Sequence, residues 1–523
     1  MNQIKIDPER ISSDIDRNIF GWHVENEIYG GIYCPDSPLA DREGLRIDVR
    51  TVLDRLKHSI IRYPGGNFAS GYRWMDGIGP KEYRPARHDL AWRCITSNHF
   101  GTNEFITFCR KINAEPYLTV NCGDGDMREA ADWVEYCNGT GDTALVKLRE
   151  KHGFEAPHRV KYWSVGNEVD NLNQIGYKTP DEYARAYTEF SKVMKRVDPE
   201  IKLIASGVCN WEDNPSHMKT EWVERAQLIL EQAGDRIDYI SFHRLTNPYE
   251  DDPFETAMAF ATDFNERLSA YEGLIRAVSL ERGIKHAIHI AVDEYFVGRM
   301  ASVFRSQLPI NISRDKWGVM RFPEGGGDNR RREGRRIITL EDALVVSLQL
   351  NAFIRHAHSV RMANTSPLMS VLAANNLESL DSMVILPTIF YPFELYCHSC
   401  GPVALDIFWS GETFTGTFKN RIYTGIRTLD VAATLDEFHK QLVVYVINQS
   451  KEQAMETTIS LTRGEFTGSV NVSVVNGPDI KAENTKNKPT QVSVTNSVVD
   501  TSGKALRFTF EPHSITVMVC TIS

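Results

Sequence analysis

The sequence predicts an α/β protein in which a (β/α)8 TIM barrel is followed by a C-terminal all-β sandwich of jelly-roll-like type. Three observations lead to this fold class. Short apolar, β-branched runs alternate with helix-patterned stretches from about residue 19 to about residue 364, which is typical of β/α units. These runs are apolar at successive positions, as expected for strands covered on both faces. After about residue 400, short alternating strands are separated by turns rich in Gly, Asn and Pro, which favours a sandwich.

The alternating region contains eight predicted strands, the number that closes such a barrel. They lie at Ile19–Glu25, Ser59–Gly66, Glu115–Gly123, Val160–Glu168, Lys202–Val208, Asp238–Arg244, His289–Tyr295 and His358–Asn364. The helices between them are clearest at Asp181–Val197, Lys219–Gln232 and Leu340–His356. The strands begin about 48 residues apart on average, against roughly 31 in a barrel of about 250 residues. Long loops must therefore account for the difference.

Beyond the barrel, the strands of the predicted sandwich include Gln441–Asn448, Gly468–Val475 and Leu506–Phe510. A strand-like stretch at Gln3–Asp7 precedes the barrel and could pair with the sandwich. We therefore expect two domains in the 523 residues. One is a barrel over residues 16–385, and the other is a sandwich formed by residues 1–15 together with 386–523.

Composition excludes several classes of protein. Hydrophobic residues make up 42% and charged residues 24%, which are values of ordinary globular chains and not of fibrous or disordered ones. The net charge of −10 opposes general binding to nucleic acid or to anionic membranes. We expect no signal peptide at Met1–Asp7 and no transmembrane helix, because a stretch of about 18 apolar residues is absent from the sequence.

The cysteines point to a reducing compartment. Nine cysteines occur without a repeating spacing, which is typical of reduced thiols in a cytoplasmic protein. Cys397 and Cys400 form a single C-x-x-C, which we interpret as a chance pairing because a second pair and a nearby histidine set are missing.

Two glutamates close predicted strands, which is where a barrel carries its reactive groups. Strand four ends Trp163-Ser-Val-Gly-Asn-Glu168, and strand seven ends Ile290-Ala-Val-Asp-Glu294. Two carboxylates on one rim suit acid/base and nucleophilic work on an acetal. Either glutamate alone could equally cap a helix or pair with a rim arginine. The pair is what predicts a catalytic site.

Other polar residues end strands one, two and six. Glu25 closes strand one, and the segment Gly65-Gly66-Asn67 follows strand two, where glycines would let main chain and Asn67 line a small sugar pocket. Arg62 could hold a carboxylate ionised or form a structural ion pair. His243 could hydrogen-bond a rim carboxylate or serve only the structure.

Other chemistries lack their sequence motifs. The chain has no G-x-S-x-G elbow, no G-x-x-x-x-G-K-[ST] phosphate loop, no G-x-G-x-x-G and no H-E-x-x-H. Histidines near strands seven and eight lack the partner ligands of a metal site. We therefore expect neither a metal nor a cofactor. The loop that contains Arg330–Arg336 could meet an acidic or phosphorylated group, but a solvated loop or a subunit contact is the favoured interpretation.

Several segments together resemble the family 51 glycoside hydrolases, whose best-known members are α-L-arabinofuranosidases. The resemblance extends over most of the chain. It rests on Arg62-Tyr-Pro-Gly-Gly-Asn-Phe68, Asp76-Gly-Ile-Gly-Pro80, Asp89-Leu-Ala-Trp92, Gly101-Thr-Asn-Glu-Phe105, Gly166-Asn-Glu168, Asp293-Glu294, Leu340-Glu-Asp-Ala-Leu344 and Tyr391-Pro-Phe393. It implies a barrel followed by a β-sandwich, a retaining mechanism and a homo-oligomer, commonly a hexamer.

The resemblance also implies residue roles. Glu168 would be the general acid/base and Glu294 the nucleophile, and the two carboxyl groups would lie about 5 to 5.5 Å apart. Substrate contacts would come from Glu25, Gly66, Asn67, Trp92 and Asn167. His243 and Arg62 would support the carboxylates.

The chain departs from the family pattern at three positions that read the sugar. Leu245 stands where a tyrosine is usual, Gly298 where a tryptophan-rich pattern is common, and Pro367 where a glutamine is common. Loss of these hydrogen-bonding and stacking groups makes a different glycon plausible. We expect a retaining exo-α-L-arabinofuranosidase acting on small oligosaccharides. The alternatives are another furanosidase such as a galactofuranosidase, an endo-β-1,4-glucanase of the same family, and a non-catalytic carbohydrate-binding protein.

Overall fold

The computed structural model of the protein describes residues 2–24, 32–57, 60–91, 94–172, 174–209, 222–246, 252–297, 313–314, 320–321, 338–366 and 384–523. Four candidate site positions and one loop segment named from the sequence lie outside these ranges. They are Glu25, Trp92, Gly298, Pro367 and the arginine-rich stretch 330–336.

The described strands are numbered in chain order. They are β1 (Asn2–Asp14), β2 (Gly21–His23), β3 (Ile60–Tyr63), β4 (Arg87–Asp89), β5 (Cys94–Thr96), β6 (Glu115–Val120), β7 (Tyr162–Val165), β8 (Lys202–Val208), β9 (Tyr239–Thr246), β10 (His289–Val297), β11 (Ser313–Arg314), β12 (Met320–Arg321), β13 (Val360–Thr365), β14 (Val403–Ser410), β15 (Thr413–Phe418), β16 (Arg421–Arg427), β17 (Leu429–Asp436), β18 (Gln441–Asn448), β19 (Met455–Leu461), β20 (Ser469–Asn476), β21 (Ser493–Asp500), β22 (Ala505–Phe510) and β23 (Ile515–Thr521).

The helices are numbered in the same way. The α-helices are α1 (Ile47–Leu53), α2 (Thr102–Lys111), α3 (Met127–Asn138), α4 (Ala144–Lys151), α5 (Pro180–Val197), α6 (Trp222–Ala233), α7 (Phe254–Arg282), α8 (Leu340–Arg355) and α9 (Phe390–Ser399). Short 3-10 helices lie at Arg17–Phe20, Asn67–Gly71, Trp74–Gly77, Lys81–Tyr83 and Gly234–Arg236. Among the residues that the structure describes, none of these helices combines the length and the apolar character that crossing a lipid bilayer requires.

Eight strands close a parallel barrel, as the sequence predicts. The order around the barrel is β10, β13, β2, β3, β6, β7, β8 and β9, and each strand lies inside or within two residues of its predicted position. The barrel interior is filled by side chains that include Ile60, Tyr117, Ile204 and Met362. The packed interior fixes the strands relative to one another, so side chains at their carboxyl ends are held in defined positions.

Eight of the C-terminal strands and β1 form a nine-stranded sheet in the order β21, β20, β23, β18, β17, β14, β1, β19 and β22, and β15 and β16 pair separately as a hairpin. Val444 of β18, near the middle of this sheet, shares one apolar cluster with Ile459 of β19 and Phe510 of β22 at its end. The sheet therefore folds back on itself as a sandwich. Register shifts in β1 between Ile6 and Ser13 provide the bend.

The first strand joins this sheet, although it precedes the barrel in the sequence. It pairs antiparallel with β14 and parallel with β19. We propose on this pairing that residues 1–15 belong with 386–523 in one domain, and that residues 16–385 form the other.

Helix α8 lies between the barrel and the sandwich. Its fifteen residues from Leu340 to Ile354 are buried, because α7 and β10 cover one side and β17 and β18 cover the other. At its C-terminal end Arg355 Nη1 donates to Asp430 Oδ1 at 2.8 Å and Asn351 Nδ2 donates to the same oxygen at 2.7 Å. These bonds fix the sandwich against the barrel that carries the site.

Candidate active site

Four of the residues predicted from the sequence meet at the carboxyl ends of the barrel strands. Arg62 lies in β3, His243 in β9 and Glu294 in β10, while Glu168 follows β7. The strand register places His243 opposite Glu294. Because parallel strands end at the same edge, side chains that are far apart in the sequence share one pocket.

The two glutamates form a close pair. A carboxylate oxygen of Glu168, a ring nitrogen of His243 and a carboxylate oxygen of Glu294 all lie within 4.8 Å of one another. Both glutamate side chains are largely buried but keep some contact with solvent. The pocket can therefore admit a substrate while it shields the charges from bulk water.

Glu168 reaches the pair through an unusual backbone turn. Gly166 has φ 84° and Glu168 has φ 45°, a region that residues with a side chain rarely adopt. A Cβ on Gly166 would lie 2.9 Å from both Cys122 Cβ and Val169 Cγ1. Backbone strain of this kind is typical of functional sites. This turn ends β7 three residues before the predicted boundary and directs the Glu168 side chain toward His243.

Glu294 reaches the pair through a β-bulge. Ala291 of β10 pairs with Ser241 of β9, and Glu294 pairs with His243. Three residue steps in β10 therefore lie opposite two steps in β9. The same extra residue occurs against β13, between Val292 and Tyr295. A bulge re-aims neighbouring side chains, so the consecutive residues Asp293 and Glu294 both contact the same group of partners.

Positive charge surrounds Glu294. Arg62 Nη1 donates to Glu294 Oε2 at 3.2 Å, and His243 Nδ1 lies 3.7 Å from the same oxygen. Burial raises the pKa of Glu294 above its ordinary value of 4.5, and the nearby Glu168 carboxylate raises it further, whereas His243 and Arg62 act in the opposite direction. Two carboxylates this close repel each other, which disfavours the ionised form of Glu294.

Arg62 is fully buried and connects several groups of the site. Besides Glu294, its Nη2 donates to Asn167 Oδ1 at 2.5 Å and its Nη1 donates to the main-chain oxygen of Asp293 at 3.2 Å. Asn167 is also buried, and its Nδ2 makes no hydrogen bond among the described residues. That amide is a donor available to a bound hydroxyl group.

His243 bridges two carboxylates. Its Nδ1 lies 3.1 Å from Glu168 Oε1 and its Nε2 lies 3.2 Å from Asp293 Oδ1. Burial lowers the pKa of His243, but the charge of Asp293 and the hydrogen bonds to Asp293 and Glu168 outweigh it and raise the pKa to about 10. An imidazolium that donates from both nitrogens has no lone pair for a metal ion. The group of Glu168, His243 and Glu294 is therefore better suited to proton chemistry than to metal binding.

The remaining predicted residues that the structure describes lie along the same rim. Gly66 and Asn67 follow β3, where Asn67 begins a 3-10 helix and keeps partial exposure. Leu245 lies two residues beyond His243 in β9, and 36% of its surface is exposed. Glu25 and Trp92 fall outside the described residues.

Sequence reasoning assigned no role to Asp293, Tyr117, Ser241 or His23, which the structure also places in the site. Asp293 is fully buried, and Tyr117 Oη and Ser241 Oγ donate to it at 2.7 and 2.6 Å. His23 Nδ1 lies 3.8 Å from Glu294 Oε2. The polar pair Asp293-Glu294 after an apolar strand was a detectable signal, but Tyr117 and Ser241 lie inside apolar strands and have none.

Comparison with known proteins gives a consistent picture. Residues 52–251 match the family model of the α-L-arabinofuranosidase 1 domain, and residues 315–514 match that of the α-L-arabinofuranosidase C-terminal domain. The chain is 34% identical to the intracellular exo-α-(1→5)-L-arabinofuranosidase 1 of Bacillus subtilis over 98% of this chain and 97% of that protein. It is 36% identical to the intracellular exo-α-(1→5)-L-arabinofuranosidase of Acetivibrio thermocellus over 75% of this chain and 74% of that protein.

A solved structure is similar over the whole chain. The crystal structure of the α-L-arabinofuranosidase from Thermotoga maritima in complex with arabinose superimposes with a TM-score of 0.82 at 33% identity, covering 99% of each chain.

Proposed function

The chain belongs to the α-L-arabinofuranosidases of glycoside hydrolase family 51, and we propose on that basis that it is an exo-acting enzyme which releases terminal α-L-arabinofuranosyl residues from arabino-oligosaccharides. It is a glycoside hydrolase. The relatives in Bacillus subtilis and Acetivibrio thermocellus are both named exo-α-(1→5)-L-arabinofuranosidases. These names support both the exo action and the sugar.

The observation that carries the proposed mechanism is the separation of the two carboxylates. Retaining glycosidases hold these groups about 5 to 5.5 Å apart, and inverting enzymes hold them about 6.5 to 9.5 Å apart to admit a water molecule between them. Oxygens of Glu168 and Glu294 lie within 4.8 Å. This distance supports a double displacement with retention of the anomeric configuration.

In the proposed first step, a Glu294 oxygen attacks C1 of the arabinofuranosyl group, and the bond from C1 to the leaving oxygen breaks. Glu168 gives its proton to that oxygen, so the leaving group departs as a neutral alcohol. The guanidinium of Arg62, 3.2 Å from Glu294 Oε2, favours the ionised nucleophile that this step needs.

In the proposed second step, the Glu168 carboxylate takes a proton from a water molecule while the water oxygen attacks C1. The bond between C1 and Glu294 then breaks, arabinose leaves, and both glutamates return to their starting states. The imidazole N–H of His243, 3.1 Å from Glu168 Oε1, stabilises the carboxylate form between the two steps.

The proposed substrate contacts lie beside the two carboxylates. The unpartnered Nδ2 of Asn167 is suited to a sugar hydroxyl beside C1, and Gly66 with Asn67 forms a neighbouring part of the pocket. Glu25 and Trp92 are proposed as further contacts on resemblance alone.

One residue favours a second candidate for the sugar. Leu245 places an aliphatic side chain on the rim close to His243, where it offers no hydrogen bond to a glycon. Another furanosidase activity, such as release of galactofuranose, and an endo-β-1,4-glucanase activity are the alternatives. The buried charge pair argues against a non-catalytic carbohydrate-binding protein, because an unused close pair of carboxylates is destabilising.

Hydrolysis of defined arabino-oligosaccharides followed by ¹H NMR tests the proposal directly, since it reports the sugar, the linkage and the first-formed anomer together. We expect single arabinose units with the α configuration to appear first. Release of another sugar from a parallel panel of aryl glycosides, with no arabinose, would overturn the proposed substrate. First formation of the β anomer would overturn the proposed mechanism.

We also propose that the enzyme is cytoplasmic and forms a homo-oligomer. The word intracellular in the names of two relatives supports the location. An apolar surface on the hairpin of β4 and β5 supports association, because Leu90 and Ile95 are 63% and 69% exposed there.

A further inference from the structure

Asp293 has no role in the mechanism described above, yet both of its carboxylate oxygens have polar partners. Its Oδ1 accepts from Ser241 Oγ at 2.6 Å and faces His243 Nε2 at 3.2 Å. Its Oδ2 accepts from Tyr117 Oη at 2.7 Å and lies 3.7 Å from Arg62 Nε. Four groups thus converge on a carboxylate that has no exposed surface.

These partners require an ionised Asp293. Burial raises the pKa of Asp293, but the charges of Arg62 and His243 and the hydrogen bonds from His243 and Ser241 outweigh it and hold the pKa well below its usual range. Tyr117 stays a neutral donor, because burial first and the charge of Asp293 second raise its pKa well above the ordinary value. The carboxylate is therefore a permanent negative charge under the active site.

The position of His243 determines how that charge is used. Both ring nitrogens face carboxylate oxygens, Nε2 toward Asp293 and Nδ1 toward Glu168. An ionised carboxylate can only accept hydrogen bonds, and a neutral imidazole has a single N–H. Whenever Glu168 is ionised, as it is between the two steps of the reaction, both contacts are hydrogen bonds only when the ring carries two protons.

We propose that Asp293 is a positioning residue whose carboxylate keeps His243 doubly protonated, so that the Nδ1–H of His243 donates to Glu168 through both steps of the reaction. This inference rests on the proposed role of Glu168 as the acid/base. In the first step Glu168 becomes anionic beside a fixed cation, and in the second step it recovers its proton from water, since the imidazolium keeps its own.

Other titratable groups face this pair and have to be considered. They are His23 of β2, Arg62 of β3, Tyr117 of β6, Glu168 after β7, Tyr271 of α7 and Glu294 of β10. Burial and the charges of Arg62 and His243 lower the pKa of His23 well below its ordinary value, so it adds no positive charge near neutral pH. Glu168 and Glu294 share the pocket with His243 but take part in the reaction, which leaves Asp293 as its constant counter-ion.

Replacement of Asp293 by Asn tests this role, because the amide keeps the shape and removes the charge. The substitution removes the charge of Asp293, which raises the pKa of His243, whereas burial, the largest influence, still lowers it. We expect the ring of His243 to stay doubly protonated from pH 5 to pH 9 in the native enzyme and to be neutral over part of that range in Asp293→Asn. The measurement is an NMR titration of ring-labelled histidine, with the His243 signal identified by its absence in His243→Gln.

Kinetics provide the second readout. For Asp293→Asn we expect kcat on an aryl arabinofuranoside to fall by about 10²-fold to 10³-fold near neutral pH, with a new ionisation in its pH profile. The matched control is Tyr117→Phe, which removes one hydrogen bond to Asp293 but leaves the charge. We expect it to keep the native pH profile and to lose no more than about tenfold in kcat.

The possible outcomes separate cleanly. A neutral His243 in the native enzyme at pH 7 overturns the proposal even if Asp293→Asn fails to fold. So does an unchanged titration or pH profile in folded Asp293→Asn, or a Tyr117→Phe variant that changes them equally. If the native enzyme does not hydrolyse arabinofuranosides, the proposed substrate fails, but the NMR titration still tests the link between Asp293 and His243.

Discussion

At the residue scale, the site distinguishes two glutamates by what surrounds them. Glu294 lies against the guanidinium of Arg62, whereas Glu168 meets a single imidazole nitrogen of His243. The same side-chain chemistry therefore suits a nucleophile in one position and an acid/base in the other. Arg62 connects the two halves of the site, because it donates to both Glu294 and Asn167.

Removal of the proposed nucleophile should abolish turnover. For Glu294→Ala we expect hydrolysis of an aryl arabinofuranoside to fall by about 10⁴-fold or more, because no covalent intermediate can form. Glu168→Ala should retain more activity on a substrate with a good leaving group, and azide should restore it, since azide attacks without a base. Steady-state kinetics measure both effects.

The control for these variants is Glu281→Ala, which replaces an exposed glutamate near the end of α7 and should behave as the native enzyme. Unchanged hydrolysis by Glu294→Ala, or failure of azide to restore Glu168→Ala, would show that the roles are assigned wrongly.

The raised pKa of Glu294 makes a prediction for the acidic side of the pH profile. Protonation of Glu294 removes the nucleophile, so kcat/KM should fall as the pH decreases, with a midpoint above the ordinary carboxyl value of 4.5. Burial is the largest cause. Glu168 is protonated when it acts as the acid, so its neutral replacement Glu168→Gln should leave the midpoint in place. The measurement is kcat/KM on an activated aryl substrate across the acidic range, and a midpoint at or below 4.5 in both proteins contradicts this explanation.

At the element scale, close contacts of backbone decide how the loops after the strands are placed. Gly101 precedes α2 and packs on Gly77 in the loop that follows β3. A Cβ on Gly101 would lie 1.8 Å from the main-chain oxygen of Gly77, which is far closer than two non-bonded atoms can approach. These two loop segments can therefore approach only because residue 101 has no side chain.

A pair of glycine substitutions tests this packing. Gly101→Ala should lower the free energy of unfolding by about 3 kcal/mol or more, since backbone must move to admit the methyl group. Gly273→Ala is the matched control, because Gly273 is an exposed position in α7 with nothing within 4 Å of an added Cβ. It should raise the free energy of unfolding by roughly 1 kcal/mol through helix propensity. Urea unfolding followed by circular dichroism measures both, and equal midpoints for the two variants would be inconsistent with the contact.

At the scale of the whole molecule, the C-terminal unit packs against the barrel. Helix α8 is buried between the two units, and the hairpin of β15 and β16 packs on α7. Through this hairpin Tyr423 Oη donates to Asp263 at 2.6 Å, and Asp263 in turn binds Arg244, the residue after His243. The C-terminal unit thereby braces the strand end that carries the bridging histidine.

The exposed apolar hairpin of β4 and β5 makes a prediction about assembly. We expect light scattering of the native protein to report a homo-oligomer, and Ile95→Asp to shift it toward a monomer, because a charge would then be buried in the contact. Phe438→Asp is the control, since Phe438 is 89% exposed on the sandwich and lies far from the hairpin in the sequence. A native protein that is monomeric at micromolar concentration would refute the oligomer, and equal dissociation by both variants would refute the hairpin as its contact.

The sequence by itself determined the barrel, the sandwich and the two glutamates. Hydrophobic periodicity is a local property, so the eight strands could be placed to within three residues from the pattern along the chain. Glu168 and Glu294 were detectable because a polar residue that closes an apolar strand stands out in a linear pattern. Their shared rim followed from the rule that parallel strands end at one edge.

Only the tertiary structure decided how these groups act on one another. The bulge in β10 brings Asp293 and Glu294 to the same site, the left-handed turn at Glu168 aims its carboxylate, and Tyr117 and Ser241 donate to Asp293 from other strands. Each of these depends on distances of a few ångströms between residues that are 50 to 176 positions apart in the sequence. Because hydrogen bonds and charge interactions change over such short distances, the protonation of His243 and the proposed role of Asp293 follow from the folded barrel and from no pattern along the chain.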